Sequence, residues 1–476
     1  MELSYDVRLY KTEVVVGKRS TSYKVRWSVA KRSKKAAFGG SKLAESFRSK
    51  LVTAAREGVP FDTKSGLPAP MAKALYSRSW FDHACQYVDT KWPRISPGHR
   101  RGISETLTLA TLALLGRGNG RPTDEEIRRA LHNWAFSKAA RTGQPAADAV
   151  PPKEYETAIA WLKRNTVDLS DVEQSDILRA ALDRLATKRD GKAAAAKTIT
   201  RRRATLHGAL QYAVELDLMP ANPLDNLQWD SPQSSDRLDP RLLPNRQTVA
   251  RMLAAIGEFN PPLKAYFACL YYAAMRPAEA RHLNADNLIS LPEEGWGELL
   301  LDGSTQQTGK RWTDDGEVRE ERTLKHRAEN TTRRVPAPPA LVRALRSHVE
   351  RFGPGPEGHL FVTRAGRFGR PLPAAYCTPV HPNTVTRTWA KARAKVLTAD
   401  QIAKRHAARP YDLRHAGITF QLNAGVPATQ VAEWAGNSVK MVMEVYAGCI
   451  DGQTSTALKR LMDATDEDEA GPTSKS

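Results

Sequence analysis

"RPYDLRHAGI", residues 409–418, sets two arginines, a tyrosine, an aspartate and a histidine ahead of an apolar helical stretch. Two readings fit it. In the plainer one the segment is a solvated helix start, with Asp412 capping the backbone and Arg414 in water. In the sharper one Arg414 grips an anion, because the guanidinium alone offers two parallel N–H donors to adjacent oxygens. The rest of the chain decides between them.

Three further stretches carry chemistry. In "YYAAMRPAEARHLNADNL", 271–288, an apolar helix ends at Arg276, Pro277 breaks it, and Glu279 is placed to hold the guanidinium. Arg276 near a helix end also suits the helix dipole, so this motif is evenly split between structure and function. In "TLKHRAENTTRRVPAP", 323–338, Lys325 starts a hairpin arm whose return leg is Arg333 to Val335. A lone hairpin lysine is usually only solvated. In "VAEWAGNSVKMVMEVYAGCI", 431–450, Gly436 ends one helix and Asn437 or Ser438 caps the next, whose Met441, Val442 and Val445 form an apolar face and which delivers Tyr446. A tyrosine there is commonly a packing residue, yet a phenol is also one of the few side chains able to form a covalent phosphoester.

Around these motifs the 476-residue chain has room for several cores. Its 72 Lys and Arg against 52 Asp and Glu, net +20, point to a polyanionic partner, nucleic acid ahead of membrane. The first 60 residues hold 14 Lys and Arg against five Asp and Glu, nine of the net twenty charges. The longest apolar run, Ala265 to Met275, is too short to span a bilayer, and the start lacks a signal-peptide core, so a cytoplasmic location is expected. The cysteines, Cys85, Cys269, Cys377 and Cys449, are scattered, which suggests neither a disulfide framework nor a zinc site.

Periodicity divides the chain. Residues 1–65 alternate apolar and polar around "GKRS", with a third short strand near Ala37 and a helix bearing Leu43, Phe47 and Leu51 on one face. This is a small, basic sheet-plus-helix module, in which Lys31, Arg32, Lys34 and Lys35 are candidate nucleic-acid contacts. Residues 62–70 read as a linker and 75–230 as helical, with Arg201, Arg202 and Arg203 as possible phosphate contacts and Leu206, Leu210 and Ala213 as an apolar face. A Pro/Ser/Asp-rich stretch, 230–245, precedes a third region, 240–462, α-rich with a small β insert in which "ELLLDG" and "RRVPAP" flank a polar segment. Residues 463–476 read as a disordered acidic tail. The expected fold is multidomain and mainly α.

Taken in order, "MRPAEARHL", "LKHRAENTTRRVPAP", "RPYDLRHAGITFQLNAGVPATQVAEWAGNS" and "VMEVYAG", with Tyr446 32 positions after Arg414, resemble the tyrosine recombinases, the phage-integrase family. The upstream regions resemble, more weakly, the arm-binding and core-binding domains of mobile-element integrases. The resemblance implies that Tyr446 attacks a DNA phosphate and leaves a 3′-phosphotyrosine and a free 5′-hydroxyl, that Arg276 and Arg414 clamp the non-bridging oxygens, and that Lys325 protonates the departing 5′-oxygen. It implies no cofactor or metal, double-stranded DNA with core and arm sites as partner, a homotetramer on DNA and a place at the bacterial nucleoid, and leaves open whether excision needs a helper protein. The chain departs from the family pattern twice. Tyr411 and Asn437 stand where His or Lys, and His or Trp, are usual, and neither replacement readily carries a proton near neutral pH. The proton acceptor for Tyr446 is therefore open among His415, His406 and water. Two other readings remain: a DNA-binding regulator of the same fold that does not cleave, and a type IB-like topoisomerase, which the separate basic module disfavours.

Overall fold

The structure, a computed structural model, describes residues 2–17, 21–76, 78–230, 238–324, 331–366, 369–373, 376–446, 458 and 462. The acidic tail, Cys449 and Lys325 lie outside the described residues. The chain is mainly α with small sheets and divides into two compact units, Met1–Gln233 and Ser234–Ser476.

The first unit opens with β1 (Leu3–Ser4), β2 (Val7–Leu9), β3 (Glu13–Val16), β4 (Thr21–Val29), β5 (Arg32–Phe38), α1 (Ser41–Arg56) and β6 (Phe61–Asp62). β4 is the centre, pairing antiparallel with β2, β3 and β5. Its alternation is that of a half-buried strand: Val25, Trp27 and Val29 face α1 and form a core with Ala44, Leu51 and Phe61, and Lys24 and Arg26 fall on the opposite face. Leu43, expected on the apolar face of α1, is instead 66% exposed. Ala44 takes the place, because the line facing the sheet runs 44, 47, 51 and Leu43 lies a further 100° round the helix.

The helical remainder comprises α2 (Ala69–Tyr76), α3 (Trp80–Lys91), α4 (Pro97–Ala113), α5 (Asp124–Ala130), α6 (Lys153–Asn165), α7 (Leu169–Val172), α8 (Ser175–Ala186) and α9 (Ala196–Glu215). Side chains start several of them: Ser79 and Ser96 accept from the third backbone N–H beyond, and Thr123 forms a reciprocal capping box with Glu126. α4 runs through the middle, packed on α3, α5, α8 and α9, with Leu107 and Ala110 fully buried. On α9, Leu206, Leu210 and Ala213 are the buried face, as their spacing predicts.

The second unit contains α10 (Arg246–Phe259), α11 (Lys264–Tyr272), α12 (Pro277–His282), β7 (Leu288–Ser290), β8 (Gly297–Leu301), β9 (Gly303–Gln307), β10 (Arg319–Thr323), β11 (Arg333–Ala337), α13 (Pro339–Phe352), α14 (Pro382–Val396), α15 (Ala399–Ala403), α16 (Tyr411–Asn423), α17 (Ala428–Ala435) and α18 (Val439–Tyr446). The apolar α11 is the buried axis, packed on α10, α13 and α16. Gly417 lets α16 approach closely, since a Cβ there would collide with the Tyr271 carbonyl. Within the polar segment after β8, β9 and β10 pair antiparallel. β11 pairs antiparallel with β8, Arg333 opposite Leu301, and the arm expected to start at Lys325 lies outside the described residues. Among the described residues no helix is long and apolar enough to cross a membrane.

Candidate active site

The site is built on chain ends of rigid elements. α11 stops at Tyr272, Ala274 takes φ +47°, and Arg276 is the residue before α12, with Pro277 at the first helical position. The proline therefore starts a helix rather than merely ending one, as suits a residue whose missing N–H would be unpaired there anyway. Three residues on, Glu279 reaches back: Oε2 accepts from the Arg276 backbone N–H at 2.9 Å and Oε1 from its Nη1 at 2.7 Å.

Glu279 also receives both ends of Arg333, at 3.2 Å from Nη1 and 2.7 Å from Nη2. Both side chains are essentially fully buried, 2% exposed. Burial by itself would raise the Glu279 carboxyl, but the charges of Arg333, Arg276 and Arg414 outweigh it and bring it down to about 2. Sequence reading saw Arg333 only as a strand residue. The signal was present: β11 alternates, Val335 and Ala337 face the core, and Arg333 shares that face.

α16 delivers Arg414, which has no solvent-exposed surface. Its Nη1 donates to the Ala274 carbonyl and its Nη2 to the Ala435 carbonyl at 2.8 Å. α17 ends at Gly436 with φ +66°, where a Cβ would strike the Arg333 guanidinium and crowd Arg276, so glycine is required twice over. The turn then presents Asn437. Its Oδ1 accepts from Arg276 Nη2 and from Arg414 Nη2, each at 3.0 Å. Two guanidinium groups thus converge on one oxygen. The Nε atoms of Arg333 and Arg414 are buried and have no hydrogen-bond partner among the described residues.

Ser438, not Asn437, caps α18, its Oγ accepting from the Met441 N–H at 3.2 Å. Val442 is buried, but Met441, expected on the apolar face, is 45% exposed. Tyr446, 2% exposed, packs among Ala274, Ile418, Leu422, Val431 and Val442. Its hydroxyl lies 2.7 Å from His415 Nδ1. Burial pushes the His415 imidazole down to about 4, with Arg414 and Arg409 adding and Asp412 opposing. The Tyr411 ring packs edge-on against it at 4.9 Å. His406, the other histidine considered from sequence, is held at 3.0 Å from the Arg241 carbonyl.

The basic candidates elsewhere divide. Across β4 and β5, Arg26 stands opposite Lys35, and Lys24 shares its face of the sheet, with Arg8 on β2 opposite Ser28. Lys34 points the other way and donates to the Lys64 carbonyl at 2.6 Å, while Lys31 sits in the β4–β5 turn at φ +65° and Arg32 is exposed. On α9, Arg201 is exposed, but Arg202 donates to the Leu185 carbonyl at 2.7 Å and Arg203 to the Leu224 carbonyl at 3.3 Å. Those two tie the helix to the backbone beside it.

No family model and no curated protein matches the chain. Among solved structures, the chain is similar to the Tn1549 transposon integrase in complex with a circular intermediate DNA, at 16% identity, covering 64% of this chain and 90% of that one, with a TM-score of 0.45. It is similar to the XerH site-specific recombinase bound to palindromic difH substrate at 14% identity, 81% and 96% coverage and 0.44. A lambda integrase dimer bound to a COC′ core site matches at 13% identity, 90% and 93% coverage and 0.44.

Proposed function

We propose that the chain is a tyrosine-type site-specific DNA recombinase, an integrase of a phage or other mobile element. The observation that carries this is the convergence of Arg276 and Arg414 on one oxygen, Asn437 Oδ1, beside the tyrosine-bearing α18. Two fixed guanidinium groups sharing an acceptor are the arrangement needed to bind a phosphodiester oxygen and to neutralise charge as the phosphorus goes five-coordinate, and preorganised donors of this kind supply most of what phosphoryl transfer asks of a protein. The Asn437 amide oxygen holds the place of that phosphate oxygen until DNA arrives. Glu279 and Arg333 keep the cluster in register from below.

In this reading Tyr446 is the nucleophile and Lys325 the acid for the leaving 5′-oxygen. Residues 1–65 are an arm-type DNA-binding module using the sheet face of Lys24, Arg26 and Lys35, residues 75–230 hold core DNA, and residues 240–462 cleave it. Four copies assemble on two duplexes in the cytoplasm. The full burial of Arg414 favours a second reading, a regulator that binds DNA without cutting it.

One assay separates the two. Nicked duplexes tiled across the DNA flanking the coding gene lose their 5′ fragment on cleavage and trap the protein. The wild-type chain becomes covalently attached to the 3′ side of the break. Tyr446→Phe binds the same duplex with nearly unchanged affinity and gives no adduct, and Arg414→Ala binds but forms adduct ~100-fold or more slowly. Binding without any adduct from the wild type establishes the regulator instead.

A further inference from the structure

We infer that His415 is the group that takes the proton of Tyr446 during strand cleavage and returns it during rejoining. This rests on the recombinase reading and goes beyond it, by assigning the acceptor that the sequence leaves open. The geometry points to His415 because its Nδ1 is 2.7 Å from the Tyr446 hydroxyl, within direct proton-transfer distance. Alternatives are poorly placed. His406 is held by the Arg241 carbonyl, and Tyr446 is 2% exposed among apolar side chains, so bulk water has little access to its hydroxyl.

The ring is also in the right state. With its pKa pushed down to about 4, His415 is neutral at pH 7, and one ring nitrogen carries a lone pair. The groups facing it are Asp412, Arg414 and Arg409 in charge, and Tyr411 and Tyr446 as phenols. A DNA phosphate arriving at Arg414 adds negative charge beside the ring and raises its basicity when the proton must be taken. The step balances. The Tyr446 O–H bond breaks and its proton passes to Nδ1, the phenolate oxygen forms a bond to phosphorus, and the P–O5′ bond breaks with its electron pair leaving on the 5′-oxygen, which is protonated by Lys325. On rejoining, the 5′-hydroxyl attacks, the tyrosyl–phosphorus bond breaks, and His415 hands the proton back.

The test has two arms. In the first, ¹⁵N NMR of the DNA-free full chain reads the His415 ring. The wild type shows an unprotonated, hydrogen-bonded Nδ1 that shifts in Tyr446→Phe; a ring indifferent to that substitution overturns the contact itself, whatever the protein does to DNA. In the second, single-turnover adduct formation on the nicked duplexes is followed against pH. His415→Asn keeps an acceptor near the Nδ1 position without a basic nitrogen. It should bind DNA normally, lose about 100-fold or more in rate at pH 7, and gain about tenfold per pH unit towards the phenol pKa near ~10, where the wild type is flat. A fluorinated tyrosine at position 446, acidic enough to ionise near neutral pH, should restore His415→Asn. A His415→Asn rate and profile like the wild type would show that the ring only positions Tyr446, and the assignment fails while the recombinase reading stands. Absence of any adduct from the wild type overturns the recombinase reading instead.

Discussion

Glu279 is a single carboxylate on which two guanidinium groups close directly, with the charge of Arg414 adding to its field. Its folded pKa of about 2 lies below the ordinary 4.5, so its contribution to stability is fully present above about pH 4.5 and is lost as the pH falls through about 2. The shift corresponds to roughly 3 kcal/mol at neutral pH. Glu279→Gln should therefore lower the neutral-pH stability of the full chain by about 3–5 kcal/mol, because buried Arg333 is left without its counter-charge, and should remove part of the acid-unfolding limb between pH 4.5 and 2. Circular dichroism followed against urea at several pH values measures both. An unchanged acid limb would place the pH dependence elsewhere. At this scale the sequence was partly legible: Arg276, Glu279 and Arg414 announced themselves by motif and Asn437 by its place in the family pattern, but that its amide oxygen is the acceptor both site arginines share was not.

At the scale of elements, the site depends on how closely α16 lies on α11. The end of α11 supplies the Ala274 carbonyl that receives Arg414, and α16 supplies Arg414 and His415. The contact that sets their spacing is Gly417 against the Tyr271 carbonyl, backbone against backbone, so neither side can yield by a rotamer change. Gly417→Ala should cost about 1–3 kcal/mol in urea unfolding of the full chain, the range for an overpacked site. It should reduce adduct formation far more than DNA binding, since it displaces the helix carrying Arg414 and His415 while leaving the basic surfaces of the first unit in place. Equal losses in binding and cleavage would mean that the displacement spreads beyond this helix pair.

At the scale of the whole molecule the charge is uneven, and nine of the net twenty positive charges lie in the first 60 residues. The sheet there puts Lys24, Arg26 and Lys35 on the face opposite its own core. A chain starting at Met71 should keep core-site binding and cleavage while losing integration by ~100-fold, the scale at which tethering two DNA addresses raises effective concentration. Removing that module should also flatten the salt dependence of binding to arm DNA, measured by titration between low and physiological salt, because a phosphate no longer neutralised by a lysine or arginine keeps its counterions. Integration undiminished by the truncation would rule out an arm-binding role for residues 1–65.

What the sequence determined by itself was whatever depends on neighbours along the chain. The amphipathic period of α9, the alternation of β4, the glycine stop at Gly436 and the order of Arg276, Arg414 and Tyr446 all follow from local spacing. The partners across the chain were decided by tertiary structure. Glu279 meets Arg333 over 54 positions, β11 pairs with β8, Arg202 turns inward to the Leu185 carbonyl, and His415 meets Tyr446 across 31. Local propensity costs little to satisfy and is written residue by residue. Which buried donor finds which acceptor is settled only when close packing brings distant elements together and leaves few polar groups without partners.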